Sequence, residues 1–145
     1  MTEIEIRDRL ITMIMDKVGA KRDEIANCTD IEKDLGCTGD DYFELMEDYA
    51  KEFNVDMSDF RWYFHTHDEA MATVAAIEGL SPSVQVERIP VSLEVLVEMV
   101  KLGRWSMAYP DHTLQPRYST IDKVIQVILL TFIMVVILSA ALRRC

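Results

Sequence analysis

The sequence predicts an all-α protein, a small helical bundle followed by one C-terminal transmembrane helix. Apolar residues recur at intervals of three and four in several amphipathic segments. Residues that cap helices stand at the ends of these segments. The segment from Val124 to Leu142 has no charge, Pro or Gly. As a helix it would be ~28 Å long, close to the ~30 Å of a bilayer's hydrocarbon core.

The first predicted helix runs from Ile4 to Val18 and ends at Gly19, a residue that commonly terminates helices. Residues 20–38 are predicted to be a long connection that packs a few apolar side chains against the core. The apolar face of the first helix carries Ile6, Leu10, Met13, Ile14 and Val18.

The second predicted helix is acidic. It begins after Thr38, whose hydroxyl is expected to cap the first turn together with Asp41, and it ends near Asn54. On a helical wheel the apolar residues fill one arc, so the opposite arc faces solvent. That arc contains Asp40, Asp41, Glu44, Glu47, Asp48, Lys51 and Glu52.

The rest of the head domain is less regular. Residues 56–80 are predicted to be helical in two pieces, the first after Asp56 or Ser58 and the second from Asp68 to Glu78. A short strand is expected from Val84 to Ile89. The last helix, Leu93 to Leu102, lies between a capping serine and a terminating glycine. The predicted boundaries are residues 1–105 for the domain, 106–122 for a linker, 123–142 for the transmembrane helix and 143–145 for a basic tail.

Residues 34–45 read DLGCTGDDYFEL, and this segment resembles the start of the second helix of an acyl carrier protein. That family has Leu-Gly-x-Asp-Ser-Leu there, followed by acidic residues and Glu-Leu. Residues 52–57 look like the end of the family's second helix. The resemblance covers residues 1–105, with an insertion around residues 65–90. The matching positions are Leu35, Gly36, Glu44 and Leu45.

One departure from the family decides the expected chemistry. Gly39 occupies the position of the serine that carries phosphopantetheine, and glycine has no hydroxyl for the phosphodiester. The resemblance therefore implies no cofactor and no acyl cargo at this position. The Gly-Asp-Asp pattern and the ending Gly103-Arg104-Trp105 are similar to a bacterial acyl-carrier-like family of unknown function.

The charge distribution limits the class of partner. Residues 1–80 hold twenty Asp and Glu against eight Lys and Arg, whereas residues 81–145 hold five against seven. An acidic head argues against nucleic acid, whose phosphates need Lys and Arg, and favours a protein with a basic patch. The first twenty residues do not resemble a signal peptide. The expected location is therefore the bacterial inner membrane, with a cytoplasmic head and the membrane reached through Val124–Leu142.

Other groups of residues give weaker evidence of a binding or modification site. Asp30, Glu32, Asp34 and Asp41 do not fit a calcium loop, because Leu35 stands where the loop needs Gly. His65, His67, Asp68 and Glu69 lack the spacing of a metal site. Cys145 beside two arginines could be acylated, but the pattern favours an unmodified terminal thiol. The aromatic patch is expected to be mostly core, with one or two members exposed to a partner; it consists of Phe53, Phe60, Trp62, Tyr63 and Phe64.

The sequence therefore predicts a membrane-tethered, non-catalytic adaptor or regulator, with no metal and no cofactor. Carrier proteins dock through the helix that corresponds to the second predicted helix. The resemblance therefore implies that the acidic face of this helix is the partner-binding surface. Two alternatives remain open: a carrier that uses Thr38 or Cys37 for attachment, and a small structural subunit of a membrane complex. The candidate partner-binding residues are Asp40, Asp41, Glu44, Glu47 and Asp48.

Overall fold

The computed structural model describes residues 1–67, 81–114 and 124–134, and these are mostly helical. The chain divides into two compact units, Met1–Leu114 and Gln115–Cys145. The first unit contains the helices α1 (Glu3–Val18), α2 (Arg22–Ala26), α3 (Ile31–Leu35), α4 (Gly39–Phe53) and α5 (Leu93–Leu102), and the 3₁₀ turns Trp62–Phe64 and Pro82–Val84.

Helix α1 begins and ends where its capping residues place it. Thr2 accepts a hydrogen bond from the Glu5 amide at 3.3 Å, and the Glu5 carboxylate accepts one from the Thr2 amide at 2.7 Å. These reciprocal bonds satisfy two amides that have no partner within the helix. Gly19 ends the helix in the left-handed conformation, with φ +70°. The predicted end of the first helix is therefore confirmed.

Helix α5 also follows its caps. The Ser92 hydroxyl accepts a hydrogen bond from the Val95 amide at 3.3 Å, and Gly103 ends the helix with a positive φ. The predicted bounds, Leu93 to Leu102, are those observed. The apolar face is buried because it packs on α1; its buried residues are Leu93, Leu96, Val97 and Met99.

Ion pairs on the surface join α1 to both long helices. The Arg7 guanidinium lies 2.8 Å from Glu94 at the start of α5, and Lys101 near its end lies 3.2 Å from Glu3. These two pairs show that α1 and α5 run antiparallel. Arg9 pairs with Glu52 of α4. Exposed pairs of this kind add little free energy each, so burial of the apolar faces supplies most of the packing energy.

Trp105, which follows α5 in the sequence, is part of the hydrophobic core. Its side chain is 1% exposed. The backbone around it is held by a single parallel bridge, in which the Asp56 amide donates to the Gly103 carbonyl at 3.1 Å and the Trp105 amide donates to the Asp56 carbonyl at 2.7 Å. This bridge fixes the segment after α4 against the segment after α5.

Three expectations about irregular segments are wrong. The connection at 20–38 contains α2 and α3, and Asp30 caps α3 by accepting from the Lys33 amide at 3.4 Å. Residues 56–67 form no α-helix, only the turn Trp62–Phe64. Residues 84–89 form no strand, and the amide of Ile89 bonds to the Phe64 carbonyl instead of entering a ladder. The predicted helix Asp68–Glu78 lies outside the described residues.

The predicted transmembrane helix, and with it the inner-membrane location, is contradicted. No helix in the described part of the chain is long and apolar enough to cross a membrane. Residues 124–134 are helical. Residues 135–142 of the predicted span, and Cys145, lie outside the described residues. The Thr131 hydroxyl in this helix donates to the Ile128 carbonyl at 2.8 Å.

Candidate functional site

The acidic face of α4 is exposed along its length. We use this name for the five candidate residues, and all five side chains are accessible to solvent: Asp40, Asp41, Glu44, Glu47 and Asp48. Helix α4 turns this face outward because its other face is held in the core by Tyr42, Leu45, Met46, Tyr49 and Phe53. The first turn carries two carboxylates, which the positive end of the helix dipole favours.

Two lysines neutralise part of this face. Lys17 of α1 lies 3.0 Å from Glu44 and 2.8 Å from Asp48, and Lys51 lies 3.4 Å from Glu47. The hydrogen bond that Lys17 donates to Asp48, followed by the one that it donates to Glu44, raises the pKa of Lys17. Lys17 in turn lowers the pKa of Asp48. Five carboxylates against two ammonium groups leave the face with an excess of negative charge.

An apolar groove runs beside the acidic face. Phe43 and Trp62 form part of its wall and meet edge to face, with ring centroids 5.5 Å apart. Glu47 belongs to both the groove and the acidic face. Of the aromatic patch, Phe53 and Phe64 are buried, whereas Phe60, Trp62 and Tyr63 are half-buried. The groove is lined by Phe43, Met46, Glu47, Ala50, Met57, Phe60 and Trp62.

Gly39 is built into the interior. It is buried, its φ is +54°, and its amide donates to the Thr66 hydroxyl at 3.3 Å. The positive φ is costly for any residue with a Cβ. Thr38 occupies the N-cap position with extended backbone, but its hydroxyl makes no capping bond to the first turn. The expectation that Thr38 caps α4 through its side chain is therefore wrong.

Cys37 precedes this turn and is also buried, at 1% exposure. Burial, with smaller contributions from Asp41 and Glu32, raises the pKa of its thiol to about 11. Because the thiolate is the reactive form, Cys37 is a poor nucleophile at neutral pH. Burial also raises the pKa of the Cys28 thiol.

A family model described as "Protein of unknown function (DUF1493)" matches residues 3–108. The chain belongs to this family. It is also similar to acyl carrier proteins of Chlorobium luteolum, with 37% identity over 59 residues, and of Chlorobium phaeovibrioides, with 36% identity over 59 residues. Each match covers 41% of this chain and 76% of the relative. No solved structure matches the chain significantly.

This partial homology confirms the coarse resemblance to acyl carrier proteins. The DUF1493 match extends from the first turn of α1 to just beyond Trp105, so it includes the five helices that the structure describes in the first unit. Within residues 1–67, 81–114 and 124–134, no group of three or more His, Cys, Asp or Glu is placed to hold a metal ion.

A buried charge cluster in this DUF1493 domain was not predicted from the sequence. Arg88 forms a forked pair with Asp30, one arm at 3.0 Å, and lies 2.9 Å from Glu32. Burial raises the pKa of Asp30, but the hydrogen bonds and charge of Arg88 outweigh it and hold that pKa below its usual value. The Glu32 carboxylate also accepts from the His67 amide at 3.2 Å. The cluster therefore ties the segment around residue 88 to α3 and to residues 65–67, beside Gly39.

The signals for this cluster in the sequence were indirect. In the sequence, Asp30 and Glu32 belong to an acidic run that does not fit a calcium-binding loop, and nothing else distinguishes them. Arg88 is separated from Asp30 by 58 positions, and no local pattern links residues so far apart.

Proposed function

We propose that this protein is a non-catalytic adaptor of acyl-carrier type, which binds a partner protein through the acidic face of α4 and the adjoining apolar groove. The occupant we propose is a basic amphipathic segment of that partner. The observation that carries the proposal is the shared position of Glu47, which places negative charge on the rim of an apolar groove.

Charge complementarity identifies the kind of segment. Its Lys and Arg side chains would meet Glu44, Glu47 and Asp48, while an aliphatic or aromatic side chain would enter the groove and pack against Phe43 and Trp62. An interface with an apolar centre and a polar rim is the usual arrangement for protein–protein association. Charges at the rim would mainly steer the encounter, so binding should weaken as salt rises.

The surroundings of Gly39 support an adaptor over a carrier. A carrier must present a hydroxyl to the enzyme that attaches phosphopantetheine, whereas Gly39 has none and its amide is bonded to Thr66. The buried thiol of Cys37, with a pKa of about 11, is a poor substitute. The homology to acyl carrier proteins then supports a protein that keeps the docking surface of a carrier, the acidic face of α4, but carries no acyl group.

The test begins by capturing partners of the tagged full-length chain at low salt and purifying each one. Binding of the purified partner is then measured by calorimetry at several salt concentrations, with the wild type and with Glu44→Lys/Glu47→Lys. We expect the dissociation constant to rise at least tenfold in the variant, and to rise with salt in the wild type.

A matched control carries the same change in net charge elsewhere. Asp16 and Asp23 are exposed, lie on α1 and α2, and are not part of the acidic face. Asp16→Lys/Asp23→Lys should bind nearly as well as the wild type. Equal binding by all three proteins would contradict the proposal. Removing Lys17, which neutralises Glu44 and Asp48, should tighten binding.

A further inference from the structure

His65 is the centre of a buried hydrogen-bond chain. Its Nδ1 lies 2.9 Å from the Ile89 carbonyl, and its Nε2 lies 2.8 Å from the Tyr109 hydroxyl. Because a carbonyl can only accept, Nδ1 carries the proton and donates it. Nε2 of the neutral ring must then accept from Tyr109.

The other hydrogen bonds of Tyr109 also show that its hydroxyl is the donor in the bond to His65. Its oxygen accepts from the Trp105 indole N–H at 2.7 Å and from the Arg61 amide at 3.2 Å. These two bonds use both lone pairs, which leaves the hydroxyl proton to His65. If Nε2 were protonated, it and the Tyr109 hydroxyl would both be donors. The Tyr109 oxygen could not accept from Nε2, because both of its lone pairs are already used. The chain therefore holds only while His65 is neutral.

Some of the charged groups that face His65 lower its pKa, and others raise it. Burial is the largest influence and lowers the pKa of His65. Arg88 lowers it further; one of its nitrogens lies 3.5 Å from the His65 carbonyl oxygen. The bond to Ile89 and the carboxylates of Asp30, which caps α3, and of Glu32 oppose these effects without reversing them. A His pKa held below its ordinary value of about 6.5 gives stability that is complete above that pH and is lost as pH falls.

The same residue supports one wall of the apolar groove. The His65 ring stacks on Phe60, with centroids 5.3 Å apart and planes 9° apart. The His65 amide donates to the Trp62 carbonyl at 2.8 Å and closes the turn that places Trp62 against Phe43. Phe60, through its ring, and Trp62, through its backbone, thus both contact His65, and both line the groove.

We propose that His65 is a pH-sensitive latch on the partner groove. When pH falls far enough below the ordinary histidine range for His65 to take up a proton, the bond to Tyr109 breaks, and the turn that carries Trp62 leaves Phe43. The groove is then disassembled while the helices remain folded. The biological consequence, release of a partner in acid, rests on the proposed function; the latch itself does not.

The test uses NMR of the ¹⁵N-labelled full chain without any partner. The chain has two tryptophans, Trp62 and Trp105, so two indole N–H signals report on the groove and on the Tyr109 chain. Trp62→Phe assigns them. Between pH 7.5 and 4.5 we expect both signals to move together and reversibly in the wild type, and to stay fixed in His65→Gln, whose amide is neutral throughout.

His67→Gln is the matched control, because His67 is exposed and should leave the wild-type transition unchanged. If His65→Gln fails to fold, Tyr109→Phe decides: without the hydroxyl that holds the neutral ring, the transition should move to higher pH. Indole signals that stay still in the wild type, or that move equally in His65→Gln, would overturn the latch. Neither result bears on the adaptor proposal, which is tested by partner binding at pH 7.5.

Discussion

Replacing Arg88 with Met removes the cation between two buried carboxylates. The side chains of Asp30 and Glu32 are each 8% exposed, and that of Arg88 is 25% exposed. Methionine fills a similar volume but offers no hydrogen bond. The variant therefore leaves two carboxylates that have lost their common partner inside the fold.

The expected loss of stability follows from that burial. Removing one partner of a buried ion pair costs about 3–5 kcal/mol, and the partial exposure of Arg88 places this case near ~3 kcal/mol. A small domain has a total unfolding free energy of about 5–15 kcal/mol. Arg88→Met should therefore lower the denaturation midpoint strongly.

The loss should also depend on pH. In the wild type Arg88 keeps the pKa of Asp30 below its usual value, so this bond stabilises the fold above the ordinary Asp pKa of about 3.9 and is lost as pH falls through the folded-state value. Without Arg88, burial becomes the main influence and raises the pKa of Asp30. The variant should then regain stability relative to the wild type as pH falls from 7 toward 4.

Urea unfolding followed by tryptophan fluorescence and circular dichroism measures both effects. Arg7→Met is the matched control, since Arg7 makes a single pair with Glu94 on the surface and its loss should cost less than about 1 kcal/mol. If Arg88→Met is no more destabilising than Arg7→Met, the buried cluster does not hold the segment around residue 88, and the reasoning is refuted.

Three further predictions concern the surroundings of α4. The Tyr42 hydroxyl is buried without a hydrogen-bond partner among the described residues, so Tyr42→Phe should leave the free energy of unfolding unchanged or raise it by up to ~1 kcal/mol in thermal unfolding; a clear loss would reveal a partner. Gly39→Ser should destabilise the domain by ~1–2 kcal/mol because of its positive φ, and should gain no phosphopantetheine when incubated with a transferase and coenzyme A. Cys28 and Cys37 should react with a thiol reagent at pH 8 only after unfolding, since a pKa of about 11 leaves Cys37 as thiolate in ~1 molecule per 1,000; rapid labelling of Cys37 in the folded protein would contradict this.

The regular helices of the first unit could be predicted because their signals are local. Ser92 and Gly103 mark the ends of α5 within a few residues of its apolar face, and Gly19 does the same for α1. The acidic face of α4 followed from the helical period alone. Short elements such as α2 and α3 were missed because five residues hold too little of a period to recognise.

Features that depend on distant contacts could not be predicted. The turn at Trp62–Phe64 replaces the expected helix, and its aromatic rings find partners in residues 105–112, as Phe64 does by stacking on Tyr109 at 4.9 Å. The burial of Gly39 against Thr66 also needs a contact across 27 positions. The transmembrane prediction rested on the hydropathy of nineteen consecutive residues, and no helix in the described part of the chain is long and apolar enough to cross a membrane.

The intact mass of the full-length protein isolated from its native host tests the central claim most directly, because a carrier must bear its cofactor in the cell. The adaptor account expects the mass of the sequence alone, apart from processing of the N-terminal Met. An added phosphopantetheine group, located by fragmentation at Thr38 or Cys37, would contradict the account and restore the carrier function.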